Sequence, residues 1–100
     1  MTYRGFYTYN GKKFQTEFTM KKSDDKSFYG EGSDENGKYS LDAKLAKSGL
    51  LTAVKQYFGA HSLQMTGRVE YVKGAIEKMN GVWELKDVST GDFEYFKFSA

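Results

Sequence analysis

Apolar and polar residues alternate with a period of two along almost the whole chain, and turn residues interrupt them every ~8–12 residues. In Lys13–Met20, Phe14, Thr16, Phe18 and Met20 fall on one face, while Gln15, Glu17, Thr19 and Lys21 fall on the other. Tyr39, Leu41, Ala43 and Leu45 oppose Lys38, Ser40, Asp42 and Lys44 in the same way. This is the pattern of strands with one wet face. Further strands are predicted at Tyr3–Tyr9, Ser27–Ser33, Leu50–Phe58, His61–Tyr71, Ala75–Lys86 and Asp92–Phe98. Asn10-Gly11 is a strong hairpin dipeptide because both residues accept positive φ. Every link is short, and short links make neighbours antiparallel. The prediction is an all-β fold, an eight-stranded antiparallel up-and-down barrel in a meander, forming one domain over residues 1–100.

Two places read in more than one way. Ser40–Gln56 carries Leu41, Leu45, Leu50, Leu51 and Val54 at spacings a helix also accepts, although Ser48-Gly49 interrupts it. Strand His61–Tyr71 has an apolar row (Leu63, Met65, Val69, Tyr71) and a polar row (Ser62, Gln64, Thr66, Arg68, Glu70). Period-two burial turns the apolar row inward. Gly30 and Gly32 inside a strand mark a bend, a bulge or a close backbone approach.

Seventeen aromatics in 100 residues supply much of the core area that few Leu and Ile leave unfilled. Without cysteine, disulfides, thiolate metal sites and cysteine nucleophiles are excluded. The net charge is +2 and the lysines are interleaved with acids, so no basic stripe for nucleic acid is visible. No apolar run reaches the ~20 residues of a membrane helix, and Met1–Asn10 does not read as a signal peptide. The cytoplasm is the default compartment, and no membrane partner is expected.

Three stretches carry a resemblance. Tyr57-Phe58-Gly59-Ala60-His61-Ser62 with Thr66-Gly67, Met79-Asn80-Gly81-Val82-Trp83-Glu84-Leu85, and Tyr29-Gly30-Glu31-Gly32 followed by Lys38-Tyr39-Ser40-Leu41 resemble the avidin/streptavidin family. The resemblance implies a calycin-like eight-stranded barrel with Trp83, Tyr39, Tyr57, Ser62 and Gln64 as candidate ligand-binding residues. It also implies the opposite orientation for strand His61–Tyr71. Ser62 and Gln64 would then line the pocket, and Leu63 and Met65 would form an outer row suited to a homo-oligomer. The family's ligand Tyr and a ligand Trp fall near Gly32 and Ala53, and its long first loop shrinks to Asn10-Gly11-Lys12. Biotin binding is not expected.

The residues offer little catalytic chemistry. His61 is the single histidine, and Ser62 beside it points to the opposite strand face, so no nucleophile–base pair forms there. Asp24-Asp25 and Asp34-Glu35-Asn36 lack the ligand spacing of a calcium loop, and turn chemistry accounts for them. No catalytic residue, metal or cofactor is assigned. The expectation is a non-enzymatic binding module, taking a small apolar or amphipathic ligand in the barrel or a protein partner on its sheet surface. A small isomerase or cyclase using a cavity carboxylate such as Glu77 or Glu84 is one alternative. Single-stranded nucleic acid on surface aromatics Tyr3, Tyr7 and Tyr9 with Arg4 and Lys13 is the other, disfavoured by charge.

Overall fold

Eight strands follow one another without a crossover: β1 (Thr2–Tyr9), β2 (Lys12–Ser23), β3 (Ser27–Asp34), β4 (Gly37–Leu45), β5 (Leu50–Tyr57), β6 (Ser62–Val72), β7 (Ala75–Leu85) and β8 (Ser89–Ser99). The computed structural model describes residues 1–99. Each strand pairs antiparallel with the next, and β8 pairs with β1 to close the barrel. The expected meander is observed. Ser40–Gln56 is strand, turn and strand, with no helix among the described residues. Gly49 takes φ 89° in that turn, a conformation that ends any helical continuation.

The inward rows are those that alternation marks. Phe18, Tyr39, Leu41, Ala43, Leu51, Ala53 and Tyr57 are buried, joined by Tyr3, Tyr7, Phe28, Met79, Trp83, Phe93 and Tyr95. Aromatic rings fill the axis by stacking and edge contacts: Tyr3 on Phe18 at 5.1 Å, and Phe18 against the edge of Tyr95 at 4.9 Å. Gly30 and Gly32 prove to be close approaches. A Cβ at Gly30 would strike the Phe18 ring, and one at Gly32 the Glu17 carbonyl and Phe18 backbone.

On β6 the resemblance-based orientation is overturned. Leu63 and Met65 point inward, 8% and 3% exposed, and Ser62 and Gln64 are exposed on the outer face. In this register Met65 lies opposite Trp83 and Ala53, so burial of the apolar row decides which way the strand faces. Tyr71 extends that row beyond the packed interior, into a depression at the barrel mouth with Met1, Tyr3 and Ile76. Glu77 is left unpaired where the register slips, since Glu70 pairs with Lys78 and Tyr71 with Ile76.

Candidate functional site: a sealed polar cluster and an aromatic outer face

The chain gathers its unusual chemistry in two places, one inside the barrel and one outside. Inside, β5 interrupts its apolar inward row Leu51-Ala53 with Lys55 before returning to Tyr57. The Lys55 side chain is 3% exposed, and its Nζ donates to Asp34 Oδ2 at 2.9 Å. Asp34 closes β3, and its side chain is fully buried. The same Oδ2 accepts from Tyr57 OH at 2.8 Å, while Oδ1 accepts the Asn36 backbone N–H at 2.9 Å. Asn36 Nδ2 in turn donates to Tyr7 OH at 2.9 Å. Beside them Tyr39 OH lies 2.6 Å from Thr16 Oγ1 and 3.2 Å from Tyr95 OH. Residues from β1, β2, β3, β4, β5 and β8 thus meet beneath the β3–β4 turn.

The Lys55 ammonium is also ringed by aromatic faces, 4.3 Å from the Tyr39 centroid, 4.8 Å from Tyr7 and 5.0 Å from Tyr57. All three fall within the ~6 Å reach of a cation–π attraction, which strengthens when desolvated. No buried side-chain nitrogen or oxygen among the described residues lacks a partner. A buried ion pair needs this kind of full satisfaction, because neither charge can recover its hydration.

Burial is the first cause of raised tyrosine pKa values around the axis. Tyr7 is pushed up to about 12, chiefly by burial and then by the charges of Asp34 and Glu35. Tyr3 also rises to about 12, through burial and then Glu77. Tyr39 and Tyr57 rise further, again chiefly by burial. In the folded chain these phenols hold their protons above the ordinary value of 10.0. Stability is therefore complete below about pH 10 and is lost as pH climbs through the folded values. Urea midpoints measured at rising pH should stay flat to about pH 10 and then fall steeply toward pH 12. A midpoint unchanged at pH 12 would contradict the burial of these hydroxyls.

The cluster has no room beside it for a substrate. The void lined by Tyr7, Lys55, Leu63, Met65, Trp83, Phe93 and Tyr95 measures about 10 Å³. That is at the lower limit for a single water. Trp83 helps fill this space, and its indole Nε1 donates to the Thr8 carbonyl at 2.9 Å.

Of the five candidate ligand residues, Trp83, Tyr39 and Tyr57 lie inside, while Ser62 and Gln64 lie outside and cannot join them. Tyr3 and Tyr7, expected on the surface as stacking platforms, are core residues. Their inward facing follows from the β1 register, which sets Tyr3 opposite Phe18 and Tyr7 opposite Phe14. Glu84 is exposed, and Glu77 sits at the register slip near the other barrel mouth. The carboxylate inside the barrel is Asp34. Asp24 caps its own turn, accepting from the Lys26 and Ser27 backbone N–H groups at 2.7 and 2.9 Å. No grouping of three metal-ligating side chains occurs among the described residues.

No family model, curated protein or solved structure matches this chain.

Outside, three phenylalanines project from β1 and β8. Phe96 and Phe98 are 44% and 55% exposed, and Phe6 is half-buried beside them. Each ring carries a cation. Arg4 lies 3.5 Å over Phe98, Lys13 4.3 Å over Phe6 and Lys78 5.4 Å over Phe96. Glu17 pairs with Arg4, and Glu94 lies 3.3 Å from Lys78. Val82 adds a further exposed apolar side chain on β7. The outer positions of β4 are polar by contrast, with Ser40, Asp42 and Lys44, while on β5 Thr52 sits between the exposed Leu50 and Val54. Alternation alone does not distinguish the outward phenylalanines from other solvent-facing positions. Phe96 and Phe98 share one face of β8, opposite to Phe93 and Tyr95, and that doubling of aromatic rows was the available signal.

Proposed function

We propose that this chain is a non-catalytic binding module that engages a protein partner through the outer face of β7, β8, β1 and β2. The carrying observation is the contrast between a packed interior around Lys55 and Trp83, where the void measures about 10 Å³, and three outward phenylalanines on one face. Trp83, Met65 and Tyr95 leave no space for a bicyclic ligand such as biotin beside Lys55, and the roomier depression of about 570 Å³ lies at the other mouth against Tyr3, Phe28 and Ile76. Kinship with the avidins beyond the calycin-like plan therefore rests on short sequence stretches alone. The acid–base groups of the interior are already spent on one another, which argues against catalysis there. Exposed aromatic rings in a cluster favour a partner, since aromatic and arginine side chains dominate well-packed interface centres.

A photoreactive phenylalanine analogue placed at Phe96 in the cells that make the chain tests this reading. The same analogue at Asp42 is the control, because β4 lies across the barrel from β8 and carries no exposed aromatic ring. A defined protein adduct from position 96 and none from position 42 is expected. Equal labelling from both sites, or none from position 96, refutes the assignment of this face.

A further inference from the structure

The outer face is self-complementary, and we infer that its partner is a second copy of this chain. This rests on the reading above that the face is a protein-binding surface. The argument comes from one row of cross-strand neighbours. Glu70 on β6 pairs with Lys78 on β7, Lys78 with Phe96 on β8, Phe96 with Arg4 on β1, and Arg4 with Glu17 on β2. These side chains all sit on the outer surface: Lys78 reaches the Phe96 ring and lies 3.9 Å from Glu70, and Arg4 pairs with Glu17. Read across the barrel, the row is acid, base, ring, base, acid.

Two such faces can meet about a two-fold axis that runs parallel to the strands between β8 and β1. The rotation lays β7 of one copy on β2 of the other, and β8 on β1. Lys78 then faces Glu17 of the second copy, and Phe96 faces its Arg4. Both meetings occur twice, as an isologous contact requires. In the next row Asn80, Glu94, Phe6 and Gln15 are successive neighbours, so Asn80 meets Gln15 of the other copy and Glu94, held by Lys78 of its own chain, meets the other copy's Phe6. Strands remain aligned across the contact, the arrangement that packed sheets adopt within about 30°. Within one chain Lys78 and Glu17 are separated by two intervening strands, about 14 Å at ~4.8 Å per strand. An attraction between them can act only between copies.

The four strands are half of a closed barrel, so the face is convex, with β8 and β1 at its centre and Lys78 and Glu17 reaching across its rim. Such a contact is at the small end for a specific interface, and association is expected in the micromolar range. Sedimentation velocity should show the wild-type chain shifting from monomer to dimer between about 5 and 500 μM. Glu17→Lys sets two lysines against each other at each contact, and Lys78→Glu sets two glutamates. Each variant alone should lose association at least ~tenfold, while circular dichroism confirms the barrel, because both positions are exposed or half-exposed. Mixing the two variants places lysine against glutamate at both contacts, and a heterodimer should form.

A wild type that stays monomeric at about 500 μM overturns the inference. So does a dimer that neither charge reversal weakens, or a mixture that fails to associate. If the wild type is monomeric yet position 96 still crosslinks to a different protein, the second-copy inference falls and the face assignment survives. If it crosslinks instead to single-stranded nucleic acid, both fall.

Discussion

Replacing Asp34 with alanine is expected to destabilise the barrel by about 3–5 kcal/mol, the usual consequence of stranding one buried charge. Lys55 would keep its three aromatic neighbours but lose its only carboxylate contact within the barrel, Asp34 Oδ2 at 2.9 Å. Tyr57 OH and the Asn36 N–H would lose their acceptors as well. A domain of this size holds roughly 5–15 kcal/mol in total, so the variant should lose at least about a fifth of its stability and unfold at a clearly lower urea concentration. The pair Asp34→Asn with Lys55→Met removes both charges yet leaves an acceptor for Asn36. It should return to within ~2 kcal/mol of the wild type, because the desolvation of the ion pair disappears along with its attraction. Urea unfolding of the single and double variants measures both. A single variant that costs less than about 1 kcal/mol would mean that Lys55 is not truly sequestered.

The second large effect is expected on β6. Leu63→Lys puts an ammonium against Trp83 and Tyr95, next to a void of about 10 Å³ that cannot hydrate it. Loss of the fold is expected, since an unpaired buried charge costs several kcal/mol. Gln64→Lys, one residue along, faces solvent and should change stability by no more than ~0.5 kcal/mol. Thermal melts of the two variants side by side read the strand register directly. Tolerance of Leu63→Lys together with unfolding by Gln64→Lys would show that β6 is turned the other way.

The fold was largely legible because period two is a local signal. Phe14, Thr16, Phe18 and Met20 declared an inward face, and short turns such as Asn10-Gly11 left an antiparallel meander as the simplest outcome. The interior cluster was harder to see. Lys55 is a lysine in an inward row, and strict alternation from Leu51 through Tyr57 places it inside. Its partner Asp34 reads as an ordinary turn residue, and the two become neighbours only once β3, β4 and β5 are set in register. Resemblance misled on Ser62 and Gln64 because short motifs carry no information on which face a strand presents. Burial of Leu63 and Met65 does carry it. Tyr3 and Tyr7 look like surface aromatics in sequence because tyrosine suits both water and core. Their hydroxyls find buried acceptors or donors that the local sequence does not reveal, such as Ile76 O for Tyr3 and Asn36 Nδ2 for Tyr7.

Closure of the barrel at β1 and β8 has a consequence for how the chain comes to be folded. Seven of the eight seams join consecutive strands through tight turns, and each can zip as soon as both strands exist. The eighth spans nearly the entire chain, and bringing its ends together costs about 3 kcal/mol more in loop entropy than closing a three-residue turn. It is also a tight seam, for a Cβ on Gly5 would overlap the Glu94 carbonyl across it. During synthesis the growing chain can therefore lay down one hairpin after another and still be an open, twisted ribbon. Its first strand carries a bare edge, the kind of edge that invites pairing with a foreign strand. That exposure ends when the last strand leaves the ribosome and takes its place beside the first.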